Sequence, residues 1–90
     1  MVEIEFIYGG IKTIIQCNIN EKMNDIYNKY IIKIGKNIND IHFIYDGNKI
    51  QENIKNLAFN ELANNIDKDR KKMNILVYEK NINKEKNNII

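Results

Sequence analysis

The chain has 90 residues and a formal net charge of +2, from 14 Lys+Arg against 12 Asp+Glu. That length supports a single small domain, and so slight a positive excess is no argument for a nucleic-acid partner. No apolar run reaches the roughly 18–20 residues of a membrane span, a single cysteine rules out an internal disulfide, and the absence of serine rules out a serine nucleophile.

Isoleucine (20 residues), asparagine (17) and lysine (13) dominate by direct count. All three have A/T-rich codons, so the Asn/Ile-rich composition reads as genome bias. A surface asparagine carries little functional weight here, and isoleucine stands in for leucine and valine in the core. Proline is absent, so turns must be found from Gly, Asn and Asp.

Residues 2–8 alternate, with Val2, Ile4 and Phe6 on one face and Glu3, Glu5 and Ile7 on the other, the pattern of a half-buried strand. This start also lacks the charged and apolar blocks of a secretory leader, so none is expected. Gly9-Gly10 makes a turn that tolerates positive φ. A second strand follows over 11–19, with Thr13, Ile15, Cys17 and Ile19 sharing a face. Asn20 is a candidate N-cap. The spacing of Met23, Ile26, Tyr27, Tyr30, Ile31 and Ile34 predicts an amphipathic helix over about 22–34, closed by Gly35.

Residues 41–45 read as a third strand, with Ile41, Phe43 and Tyr45 on one face and His42 and Ile44 on the other. Asp46-Gly47 turns the chain into a short fourth strand around Lys49-Ile50. Residues 51–66 have no regular pattern. Leu57, Phe59, Leu62 and Ile66 are expected to plug the end of the core, with a helical turn near 59–64. The mixed charges of Asp67–Lys72 predict a solvated loop, and Met73–Tyr78 the last strand. The polar, repetitive end is expected to be a disordered tail over 80–90, leaving 1–79 as the domain.

The order β-β-α-β-β-(short helix)-β implies an α+β domain. A mixed sheet of about five strands carries one main helix on one face, and a right-handed crossover lays the last strand parallel to the first. This is the β-grasp arrangement.

Phe43-Ile44-Tyr45-Asp46-Gly47-Asn48-Lys49-Ile50 resembles the third strand, turn and fourth strand of ubiquitin. The interval from Gly35 to Gly47, the helix positions Met23, Ile26 and Tyr30, the anchors Leu57 and Leu62, and the strand Met73–Val77 extend the resemblance over about residues 1–79. The resemblance implies a ubiquitin-like domain recognised through an apolar patch on the open sheet face. Ile44, Leu76, Asn74 and Gly9 are the matching positions, with His42 and Lys49 at the rim. Ile7 extends the face, and Ile11 or Tyr8 is a candidate to replace the apolar residue that ubiquitin carries where this chain has Gly9.

The departures point away from covalent conjugation. Conjugated members need a C-terminal Gly-Gly, whereas here the last strand runs into Glu79-Lys80-Asn81 and the chain ends in Ile89-Ile90. Asn48 stands where ubiquitin has its chain-building lysine, and Asn74 where it has a histidine. The expectation is therefore a non-conjugatable interaction module, an adaptor or a domain of a larger protein. A covalent modifier or its precursor is the alternative. The implied partner is a protein of the ubiquitin pathway or proteasome, without nucleic acid or membrane, bound by an intracellular monomer.

Catalytic chemistry finds no constellation. Cys17 lies in phase with the core face of its strand and reads as a buried thiol. His42 has no nucleophile or acid arranged with it. Cys17 and His42 alone fall short of the roughly four ligands of a zinc site, so no metal or cofactor is expected.

Overall fold

The computed structural model describes residues 1–80, so the tail expected over 80–90 lies, beyond Lys80, outside the described residues. Five strands form one sheet: β1 (Val2–Tyr8), β2 (Ile11–Cys17), β3 (Ile41–Tyr45), β4 (Asn48–Lys49) and β5 (Lys72–Glu79). Three helices accompany them: α1 (Met23–Ile34), α2 (Phe59–Leu62) and α3 (Asn65–Arg70). The strand order is β2-β1-β5-β3-β4, with β1 parallel to β5 and the other pairs antiparallel. This is the expected β-grasp topology.

Alternation along the strands produces the core directly. Val2, Ile4 and Phe6 of β1, Ile41, Phe43 and Tyr45 of β3, and Met73, Ile75 and Val77 of β5 are all buried on one side of the sheet. The α1 stripe of Met23, Ile26, Tyr27, Tyr30 and Ile31 covers them. At its centre Phe6 stacks on Tyr30 with ring centroids 4.1 Å apart, and Tyr27 stacks on Phe43 at 4.5 Å. Edge-to-face contacts tie the two stacks together, Phe6 meeting Phe43 at 5.9 Å. Such geometry adds about 0.5–1.5 kcal/mol per pair to simple burial.

Among the described residues, the buried Tyr27 hydroxyl finds no hydrogen-bond partner. Burial pushes its ionisation well above the ordinary phenol range. Tyr27→Phe keeps the ring stack and removes the orphan oxygen, so it should raise stability by about 1 kcal/mol. Urea unfolding of both proteins checks this; a lower midpoint for the variant would mean that the hydroxyl is satisfied by buried water.

Several sequence expectations need correction. β2 stops at Cys17, and Ile19, 42% exposed, does not continue its buried face. Asn20 does not cap α1, whose N-cap is Lys22, without a side-chain bond. The start of α1 is held by the backbone instead: the Met23 N–H donates to the Leu57 carbonyl at 2.8 Å, and Lys22 bridges to Ala58. A long-range contact thus replaces a local cap, which no local pattern signals. Gly35 closes the helix at φ 70°, as expected. α2 falls within the predicted helical turn, and Phe59 and Ala63 plug the core, with Leu62 packed against it. Ile66, expected beside them, is 70% exposed and lines a surface cleft beside α3 instead of the core.

Candidate interaction surface

The residues that alternate away from α1 form the open face of the sheet, and strand register decides which of them meet. Ile7 pairs with Leu76 across β1–β5, and Leu76 pairs with Ile44 across β5–β3. Lys12 pairs with Ile7 at one end of this row, and Lys49 with Ile44 at the other. One transverse row therefore crosses all five strands as Lys12–Ile7–Leu76–Ile44–Lys49. With strands about 4.8 Å apart, its three aliphatics form a continuous strip about 10 Å long between centres. Leu76 is 38% exposed, and Ile7 and Ile44 are half-buried.

The charges beside the strip differ on its two sides. On one side His42 pairs with Tyr78, which is 52% exposed. Lys49, Lys55 and Lys80 line a recess of about 90 Å³ with His42. On the other side Glu5 sits between Ile14 and Asn74, and Asp46 projects from the β3–β4 turn. The surface is apolar in the middle, basic along one margin and partly acidic along the other.

Partial burial holds the His42 pKa below its ordinary value, and the positive charges of Lys49, Lys80 and Lys55 push it the same way. The folded protein thus favours neutral His42. The cost of protonating it in place is absent at neutral pH and above, and it grows as pH falls from the unfolded imidazole value of about 6.5 towards the lower folded one. Lys49→Glu should move the folded pKa upward, visible as a shifted histidine titration by NMR; an unmoved titration would show that Lys49 does not act on His42.

The candidate residues from the sequence are thus partly assembled. Ile44, Leu76 and Lys49 share the central row, and His42 lies in the next row along. Asn74 lies one row to the other side and is exposed; Gly9, at φ 57°, forms the β1–β2 turn with Gly10. Sequence reasoning missed Lys12, Tyr78, Lys55 and Lys80. Alternation alone places Tyr78 on the face of Leu76, but the lysines are brought in by register and by the 51–55 segment.

A second unforeseen feature borders the face. In place of the predicted charged loop, α3 packs beside β5, fixed by a polar network that is buried at Tyr45 and Asp67 and partly exposed at Arg70. The Tyr45 hydroxyl donates to Asp67 Oδ2 at 2.6 Å and accepts the Asn64 N–H at 2.9 Å. Asn64 Oδ1 caps α3 by accepting the Asp67 N–H at 2.8 Å, and Arg70 donates to Asp67 Oδ1 at 2.9 Å. Between α3 and the β3–β4 turn lies a cleft of about 280 Å³ that includes Asp46, Ile66, Arg70 and Asn74. Burial and the Asp67 carboxylate push the Tyr45 pKa up to about 12. Cys17 is buried as expected, with burial and Glu21 raising its thiol pKa away from the reactive thiolate. Among the described residues no cluster of potential metal ligands occurs, and no helix is long and apolar enough to cross a membrane.

No protein-family model and no curated protein matches the chain. Solved structures do. The solution structure of the ubiquitin-like domain of an Arabidopsis thaliana protein is similar with a TM-score of 0.70 and 16% identity, covering 96% of this chain and 84% of that one. Ubiquitin of Caldiarchaeum subterraneum is similar with a TM-score of 0.66 and 8% identity over 91% of this chain and 96% of that one. AtBAG1, solved in complex with HSP70, is similar with a TM-score of 0.66 and 13% identity, covering 88% of this chain and 40% of that one. The chain has a ubiquitin-like fold.

Proposed function

We propose that this ubiquitin-like domain is a protein-interaction module, binding rather than catalytic, that docks a partner on the strip Ile7–Leu76–Ile44. The observation that carries this reading is the register: three aliphatics from three strands lie side by side on the solvent face of the sheet. Isolated exposed aliphatics are ordinary, but a contiguous row with a polar rim is the anatomy of a docking surface. Lys49 and Lys80, on either side of neutral His42, form the basic rim and favour a partner with acidic residues beside its apolar anchors. The ubiquitin-like fold supports a partner from the ubiquitin pathway or proteasome, and AtBAG1, a structural neighbour, was itself solved in a complex with a protein.

Burying each aliphatic in a partner is worth about 1.5–3 kcal/mol before other costs. Ile44→Ala/Leu76→Ala should therefore weaken binding by roughly 100-fold or more. The test compares capture from lysate of the source cells by the wild-type and doubly substituted domains, with the fold checked by circular dichroism. Partners lost only in the variant support the reading. Equal capture by a folded variant overturns it.

A further inference from the structure

Among the described residues, sheet order leaves two outer strands with free edges, and they differ sharply. β4 is two residues long, and such brevity protects an edge. β2 runs seven residues, and its register with β1 is continuous from Val2↔Cys17 to Tyr8↔Ile11, with no bulge. Its protection is slight: no proline, one charge, Lys12, and exposed apolar residues in Ile11 (70%) and Ile14 (49%). We infer that β2 pairs antiparallel with β2 of a second copy of this chain, joining two sheets into one across a two-fold axis at Ile14.

The backbone is set up for this. The two-residue turn at Gly9-Gly10 makes Tyr8 and Ile11 a hydrogen-bonded pair. Consistently, the Glu3 N–H turns away from β2 and donates to the Lys71 carbonyl. Thr13, Ile15 and Cys17 therefore bond to β1 like Ile11, while the N–H and C=O groups of Lys12, Ile14 and Gln16 face outward. In the register that opposes Ile14 to Ile14 of the second copy, Lys12 meets Gln16, and all seven residues of Ile11–Cys17 pair. The same outward groups then bond to one another, giving six new backbone hydrogen bonds.

The side chains suit a second copy. Ile14 meets Ile14, and Thr13 meets Ile15 on the helix side. No two lysines stand opposite. The row continuing from Lys12 passes Gln16 of the second copy and reaches its Glu3, because Glu3 pairs with Gln16 within each sheet. The strand thus meets its own copy without opposing like charges. This departs from the monomer expected from the sequence, because the free edge emerges only from strand order.

The test uses the full chain in sedimentation equilibrium over a concentration series reaching about 1 mM, where even weak pairing registers. The expected mass rises to twice the 10.7 kDa of one chain. Gln16→Lys sets one cation opposite each Lys12, two like-charged pairs in the symmetric dimer, and Gln16→Glu sets two ion pairs. The dimer constant should shift by about 2–30-fold in opposite directions. Both changes are at an exposed position, and circular dichroism confirms folding. Amide exchange should slow with concentration at Ile14 and Gln16 but not at Thr13 and Ile15. A mass of one chain throughout, a dimer indifferent to both Gln16 substitutions, or a dimer lost in Ile44→Ala/Leu76→Ala would overturn the inference.

Discussion

Phe43→Ala is expected to remove about 3–5 kcal/mol of stability, the usual cost of deleting a fully buried aromatic ring. Phe43 is 1% exposed and touches the rest of the aromatic cluster, stacking on Tyr27 at 4.5 Å and meeting Phe6 and Tyr30 edge-on at 5.9 and 6.4 Å. Its loss opens a cavity that strands and helix cannot both close. Domains of this size hold only about 5–13 kcal/mol in total, so the variant should unfold at a much lower denaturant concentration. Guanidinium unfolding measures it, with Ile44→Ala, one residue along on the opposite face, as the internal comparison. If the two cost the same, the assignment of core and open faces is wrong.

Asp67→Ala is expected to cost about 2–3 kcal/mol, because it deletes hydrogen bonds from a charged acceptor to Tyr45 and Arg70. The damage should concentrate in α3, seen as faster amide exchange there before the sheet loosens. Tyr45→Phe and the double variant complete a cycle in which the two losses are markedly non-additive. Simple additivity would show that the two side chains act independently. The same network predicts a response to base. The Tyr45 pKa is raised from the ordinary 10.0 to about 12, so its contribution is intact below pH 10 and is lost as pH climbs from there to about 12. Buried Tyr27 adds to this loss, so the Tyr45→Phe comparison is best made in a Tyr27→Phe background, where a flatter alkaline limb isolates Tyr45.

Legibility from sequence followed the range of the interactions. β1, β3, β5 and α1 were readable because their burial has period two or a helical spacing, and side-chain direction is set residue by residue. The boundary at Gly35 was readable because a left-handed cap is a local demand. The start of α1 was not, because Leu57 supplies the carbonyl from across the fold. α3 escaped for a related reason. Asp67-Lys68-Asp69-Arg70 looks like a solvated charge run, and only a tyrosine 22 residues earlier makes Asp67 a buried residue.

The candidate surface shows the same division. Alternation put Ile44 and Leu76 on the open face. Their adjacency, the inclusion of Ile7 and the end lysines depend on register between strands far apart in the chain, which composition and periodicity do not carry.

The pairing of β1 with β5 has a consequence for how the molecule is made. Glu3 to Ile7 align with Lys72 to Leu76, so the middle of the sheet joins the opening segment to one translated nearly seventy residues later. During synthesis the first hairpin and α1 leave the ribosome with the central seam of the sheet missing, leaving the β5-facing edge of β1 open to solvent. The domain should gain native structure late and in a single step, once β5 clears the exit tunnel, with the slow closure typical of non-local pairing. Ribosome-bound chains halted at successive lengths should stay protease-sensitive until that point and become resistant abruptly after it.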